Sequence, residues 1–156
     1  MINNSLNSKM ESSNKEGAKL VIKSIEALKT EGNCEFQSKN YYKAVLLYEE
    51  GLRRAQAFAK EHQGNLSYRM EFGDHSLGGE EEVGKVEDET GGYGIFVQDL
   101  SRMKAMLYNN IATCFFHMGN LPKAEITNEM ALVEEPDYAK ALLRKVLILE
   151  RKGEYS

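Results

Sequence analysis

Three basic and two amide side chains are the residues of this sequence whose types and spacing could bind a ligand. Lys29 and Asn33 are four residues apart, as are Lys140 and Arg144, so each pair shares one face of a helix. Asn110 lies on a helical segment between the two pairs. None of the five belongs to an apolar stripe, so we expect them to point away from the helix–helix core. Arg offers a planar fork, Lys a mobile charge, and Asn a donor and an acceptor, which together suit a carboxylate-rich ligand.

The sequence contains no convincing catalytic motif. Residues 79–85 have the spacing of a phosphate-binding loop, but Val86 replaces the Ser or Thr that would hold magnesium. The glutamates inside this segment would repel phosphate. We therefore expect a chain that is not an enzyme and that holds no cofactor.

The histidines and cysteines do not have the spacing of a metal site. His62, His75 and His117 are scattered along the chain, and no Cys, His or Asp cluster accompanies them. Cys34 and Cys114 lie on helices expected to pack about 8–10 Å apart, whereas a disulfide needs Cα atoms within about 7 Å. We expect no bound metal and two reduced, packed thiols.

Composition favours a protein of the cytoplasm. The 156 residues include 20 Lys and Arg against 24 Asp and Glu, and this acidic balance argues against a nucleic-acid partner. No apolar run approaches the roughly 18 residues that span a bilayer, so we expect no membrane association. The first twenty residues do not resemble a secretion signal, and two cysteines are too few for a disulfide scaffold.

The elements that must position these side chains are predicted to be helices, so the fold class is all-α. Apolar residues recur at helical spacing over residues 18–36, 41–52, 107–115 and 122–135, and again from 139. Pro122 opens one helix and Pro136 closes it. Residues 63–94 are rich in Gly and acidic side chains, a composition typical of a loop.

A repeat links these helices. Thirty-four residues separate Ala105 from Ala139, and equivalent positions of the first and second hairpins are 80 residues apart. The second helix of the later hairpin carries Ala124, Glu125, Asn128, Ala131, Leu132 and Pro136. The first hairpin fits the same frame with Leu28, Gly32, Tyr41, Ala44, Tyr48, Gly51 and Leu52. The sequence therefore resembles the tetratricopeptide repeat family over about residues 18–60 and 102–156.

The resemblance implies antiparallel helical hairpins stacked as a short solenoid, with a long acidic, Gly-rich insertion between the first two units. We expect a disordered leader over 1–16 and a repeat domain over 17–156. The domain divides into a first unit of about 25–59, an insertion of about 61–100, a second unit of 105–138 and a truncated third unit of 139–156. Because the third unit lacks its second helix, we expect a fragment of a longer protein.

The five polar residues also resemble a known site of this family. The pattern Lys-x3-Asn, Asn, Lys-x3-Arg is similar to the carboxylate clamp of chaperone-binding domains, which holds the terminal Glu-Glu-Val-Asp of seventy- and ninety-kilodalton heat-shock chaperones. The resemblance implies that Lys29, Asn33 and Asn110 hold the terminal carboxylate. It also implies that Lys140 and Arg144 bind the side-chain carboxylate of the last peptide residue and the peptide backbone. The expected function is that of a co-chaperone or adaptor, similar to tetratricopeptide immunophilins.

Three further residues are expected beside this groove: Phe36, Thr113 and His117. The acidic segment 80–83 could also occupy the groove of its own chain, although it lacks a terminal carboxylate.

Two other functions stay open at the level of sequence. The chain could be a scaffold for another protein assembly, or the regulatory segment of a larger enzyme such as a prolyl isomerase or phosphatase. Leu142, Val146 and Leu149 should be exposed on the last helix, so self-association through that helix is also expected.

Overall fold

The computed structural model describes residues 3–71 and 91–154, with side chains placed chiefly in 16–62 and 98–154. These residues form five α-helices and no strand, so the predicted all-α class is confirmed for the described part of the chain. The helices are α1 (Asn3–Gln37), α2 (Tyr41–Glu71), α3 (Gly91–His117), α4 (Leu121–Glu134) and α5 (Ala139–Glu154). None of the described helices is long and apolar enough to cross a membrane.

The helices are arranged as two hairpins followed by a single helix. Each helix packs against the next in the chain, and α3 also contacts both α1 and α5. The helices α1, α3 and α5 therefore lie side by side, with α2 and α4 behind them. The largest fully buried side chains include Ile25, Tyr48, Leu107 and Ile111, which fill the space where the first hairpin meets α3.

The two hairpins turn in the same way at positions 80 residues apart. After α1, the Lys39 N–H donates to Phe36 O at 2.9 Å and the Asn40 N–H to Glu35 O at 2.9 Å. After α3, the Gly119 N–H donates to Phe116 O at 3.1 Å and the Asn120 N–H to Phe115 O at 2.9 Å. These bonds satisfy carbonyls that a helix end leaves unpaired. The two turns are structural equivalents.

The helices extend further than the sequence pattern indicates. Residues 3–16, expected as a disordered leader, form the first turns of α1. Residues 61–71 and 91–100, at the two ends of the expected insertion, belong to α2 and α3. A helix that packing has already nucleated is extended at little cost, and residues 3–16 contain neither Gly nor Pro to stop it. The rest of the insertion, residues 72–90, lies outside the described part, together with His75 and the segments 79–85 and 80–83.

The last helix has an apolar side that the described residues leave uncovered. Its exposed fractions are 44 % at Leu142, 51 % at Val146 and 50 % at Leu149. The opposite side is packed, because Ala141 and Ile148 are almost completely buried. The predicted exposure of these three side chains is confirmed.

The equivalent turns generate a matched pair of stability predictions. Lys39 has φ 62° and Gly119 has φ 76°, a region that costs a residue with a side chain about 1–2 kcal/mol. Lys39→Gly should therefore stabilise the fold by about 0.5–1 kcal/mol, the gain being reduced by the flexibility of Gly in the unfolded chain. Gly119→Ala should destabilise it by about 1 kcal/mol. Urea unfolding of both variants measures the two changes.

The empty space around Gly119 excludes a steric contribution to the effect of Gly119→Ala. Nothing lies within 4 Å of a Cβ added there, so the loss in Gly119→Ala reports the backbone alone. Changes of the same sign in the two variants would contradict the equivalence of the turns.

Candidate functional site

A groove of about 460 Å³ opens on the surface formed by α1, α3 and α5. It is lined by Lys29, Asn33, Phe36, Gln37, Tyr48, Met106, Asn110, Thr113, Tyr138 and Lys140. Four of the five residues of the predicted polar set thus line one groove, although they come from three helices. Of the three predicted neighbours, Phe36 and Thr113 line it as well. The lining contains two cations and no acidic side chain.

The amide of Asn33 is held by a buried tyrosine. The Tyr48 hydroxyl donates to Asn33 Oδ1 at 2.8 Å, and Asn110 Nδ2 donates to the same oxygen at 3.4 Å. The side chain of Tyr48 is 1 % exposed, and burial raises the pKa of its hydroxyl, so the group keeps its proton and acts as a donor. Since Oδ1 is occupied, Asn33 presents its Nδ2 group to the groove as a hydrogen-bond donor.

The two lysines of the groove carry uncompensated charge. Within residues 16–62 and 98–154, neither Lys29 nor Lys140 has a carboxylate within ion-pair distance. Lysines elsewhere differ, since Lys104 Nζ lies 2.6 Å from Glu134 Oε1 and Lys145 Nζ lies 2.8 Å from Glu129 Oε1. The groove is therefore a local positive site suited to an anionic ligand.

Aromatic rings border the groove at the ends of α1 and α3. The ring centroids of Phe36 and His117 lie 5.4 Å apart, and those of Tyr41 and His117 also lie 5.4 Å apart in a stacked arrangement. Phe36 and Tyr41 are in contact with each other at 5.3 Å. His117, predicted beside the groove, belongs to this aromatic cluster and does not line the groove itself.

Arg144 is the member of the predicted set that lies outside the groove lining. Its guanidinium carbon is 5.4 Å from the centroid of the Phe116 ring, and its Nε is buried without a hydrogen-bond partner in the described structure. Burial lowers the pKa of this guanidinium from its ordinary value. Arg151 lies over the same ring, with its guanidinium carbon 4.4 Å from the centroid.

Tyr48 lines the groove but was not among the groove residues predicted from the sequence. The repeat frame includes Tyr48 as a residue of the first hairpin, and it gives no role to the hydroxyl. The signal was present, because a buried tyrosine needs a partner for its O–H and Asn33 lies on the helix that α2 packs against. Tyr138 was missed because it precedes α5 and belongs to no helical pattern.

The cysteines and His62 do not line the groove. Cys34 and Cys114 are both free, but the prediction of two packed thiols is wrong for Cys34, which is exposed. Burial raises the pKa of the Cys114 thiol to about 12, which keeps it protonated. The ring of His62 stacks on Phe58, and its Nδ1 lies 2.9 Å from Phe58 O. Among the described residues, no group of His, Cys, Asp and Glu could hold a metal ion.

Comparisons with known proteins identify no relative: no family model matches the chain, and no curated protein matches it.

The surroundings of His117 predict how it titrates. Burial lowers its pKa first, and the positive charges of Arg144 and Arg151 lower it further. The folded state thus favours the neutral imidazole. Between about pH 6.5 and the lowered pKa, the unfolded chain binds a proton at His117 and the folded chain does not. The free energy of unfolding should therefore fall as the pH drops through this range. An NMR titration should place the pKa of His117 below that of an exposed imidazole. In Arg151→Gln the value should rise, and an unchanged value there would contradict the electrostatic part of the explanation.

Proposed function

We propose that this chain is a tetratricopeptide-type binding module that holds the acidic C-terminal tail of seventy- or ninety-kilodalton heat-shock chaperones. One observation carries the proposal: Lys29, Asn33, Asn110 and Lys140, contributed by three different helices, line one groove that contains no acidic side chain. The module acts by binding, as a co-chaperone or adaptor, and requires no cofactor.

The repeat supports the architectural part of the proposal. The turns after α1 and α3 have the same hydrogen bonds at positions 80 residues apart, which is the offset between the two units in the sequence. In a tetratricopeptide solenoid the first helices of successive units line the concave surface. Here these helices are α1, α3 and α5, which supply all but two of the residues that line the groove.

The chemistry of the groove supports an acidic C-terminus as the ligand. A terminal Asp brings two carboxylates, one from its side chain and one from the end of the chain. Asn33 Nδ2 and Lys29 Nζ can donate to the terminal carboxylate from α1, while Lys140 offers a second cation from α5. Asn110 is held only by a 3.4 Å hydrogen bond to Asn33, so its amide can turn to the ligand at little cost.

The free cysteines support a reducing compartment, which for this function is the cytoplasm. The uncovered apolar side of α5 favours a second candidate function, a scaffold that joins other proteins or a second copy through that surface. The two functions differ in the groove, since a scaffold that uses α5 has no need for the charges of Lys29 and Lys140.

Titration calorimetry with a peptide ending in Glu-Glu-Val-Asp tests the proposal. Lys29→Gln and Lys140→Gln should each weaken binding roughly ten- to a hundredfold, because a charge-assisted hydrogen bond contributes about 1.5–3 kcal/mol. Amidation of the peptide terminus should have a comparable effect, because it removes one charge. Raised salt should also weaken binding, since the groove is open to solvent.

Lys145→Gln is the matched control for these variants. Lys145 lies on the same helix as Lys140, but its Nζ is bound to Glu129 at 2.8 Å, away from the groove. This variant should retain the wild-type affinity. Equal affinities across all peptides and variants, or no binding by folded wild-type protein, would refute the chaperone-tail function and leave the scaffold as the better explanation.

A further inference from the structure

A second cluster of positive charge lies beyond the groove on α5. The guanidinium carbons of Arg144 and Arg151 lie 5.4 and 4.4 Å from the centroid of the same Phe116 ring. Phe116 is 9 % exposed, so the two arginines cover a ring that is otherwise part of the core. We call Arg144 and Arg151 the arginine pair.

The arginine pair has no counter-charge in the described structure. Among the side chains of residues 16–62 and 98–154, no carboxylate lies within ion-pair distance of either guanidinium, and no hydrogen-bond partner accompanies the buried Arg144 Nε. Both guanidinium carbons lie within 5.4 Å of one ring centroid, so the two charges meet in one region. Like charges held close together repel each other, and a bound anion would turn that repulsion into attraction.

The pairing of charges on α5 depends on the side of the helix. Lys145 and Lys152, which face α4, are bound to Glu129 at 2.8 Å and to Glu125 at 2.6 Å. Lys140 and the arginine pair, which face the groove and α3, have no such partners within the described residues. Acidic side chains of α4 therefore pair with the lysines on one side of α5. Within the described residues, no carboxylate pairs with the cations on the other side.

The distance along α5 relates the arginine pair to the groove. At about 1.5 Å per residue, Arg144 lies roughly 6 Å and Arg151 roughly 16 Å beyond Lys140 along the helix. An extended peptide advances about 3.3 Å per residue, so a peptide whose last side chain is held at Lys140 and whose chain follows α5 reaches Arg151 with the residue about five positions upstream. The pair is thus within reach of the same ligand.

We propose that the arginine pair is a second anion subsite, which binds an acidic side chain four or five residues upstream of the ligand's C-terminus. This inference rests on the proposed function, and it makes the ligand an acidic peptide longer than the four residues that the groove itself requires. Arg144, which the sequence pattern placed with Lys140 at the terminal residue, acts with Arg151 at the upstream residue. Both guanidinium groups lie over the same ring, and the fork of donors that each carries matches a carboxylate.

Two eight-residue peptides that differ only upstream test this subsite by calorimetry. Both end in Glu-Glu-Val-Asp, and the two residues before these four are Glu in one peptide and Gln in the other. Wild-type protein should bind the Glu peptide about two- to fivefold more tightly, the range expected for a partly exposed ion pair with Arg. Arg151→Gln should abolish this preference while still binding the Gln peptide as wild type does. Arg144→Gln should reduce the preference in the same way.

Lys145→Gln again provides the matched control, since it removes a cation from the other side of α5 and should retain the preference. Equal binding of the two peptides by wild-type protein would overturn the subsite and leave the proposed function intact. A preference that survives in Arg151→Gln and Arg144→Gln would also overturn it. If neither peptide binds to folded wild-type protein, the chaperone-tail function fails, and the subsite fails with it.

Discussion

The close approach of α1 and α2 at Gly32 is the contact on which the groove depends. A Cβ at Gly32 would lie 2.5 Å from Tyr48 Cε1, so only glycine lets the tyrosine ring occupy this place. Because the ring lies there, its hydroxyl reaches Asn33 Oδ1 at 2.8 Å. The packing of α1 against α2 therefore also sets the orientation of the Asn33 amide in the groove. A larger residue at position 32 would displace both.

The second hairpin uses the equivalent positions differently. Eighty residues after Gly32 and Tyr48 stand Ala112 and Asn128, which are both almost completely buried. Asn128 is smaller than Tyr48, so α3 has room for the methyl group of Ala112 at the position where α1 requires the glycine Gly32. Asn128 Nδ2 donates to Ala141 O at 2.9 Å and so ties α4 to α5. In the first hairpin this position shapes the groove; in the second it anchors the helix that brings Lys140 to it.

The sequence predicted the packed parts of this fold well and the helix extensions poorly. Apolar spacing located the crossing regions and both turns, because burial there demands a residue type at each position. It did not predict residues 3–16, 63–71 and 91–98 as helix, because 3–16 is mostly polar and the other two segments carry Gly64, Gly91, Gly92 and Gly94, which weigh against helix. The resemblance to stacked hairpins predicted that Lys29, Asn33 and Lys140 face one groove, and all three line the groove of the structure. The direction of Arg144 could not be predicted, because it depends on the ring of Phe116 and on Arg151, seven residues away on α5.

The distribution of charge gives the groove its character more than the number of its cations does. The chain has a formal net charge of −4, so a random surface would mix acids with its lysines. The ion pairs of Lys43, Lys145 and Lys152 lie outside the groove lining, and in each of them an acidic side chain lies beside the base. The described residues that line the groove include no acidic side chain, while the hydrogen bonds from Tyr48 and Asn110 to Asn33 Oδ1 leave the Nδ2 group of Asn33 as a donor. Exposed unpaired lysines cost little in water, so stability does not select this arrangement. The proposed acidic ligand would be attracted to it, because the positive charges are already in place and have no partner to give up among the described residues.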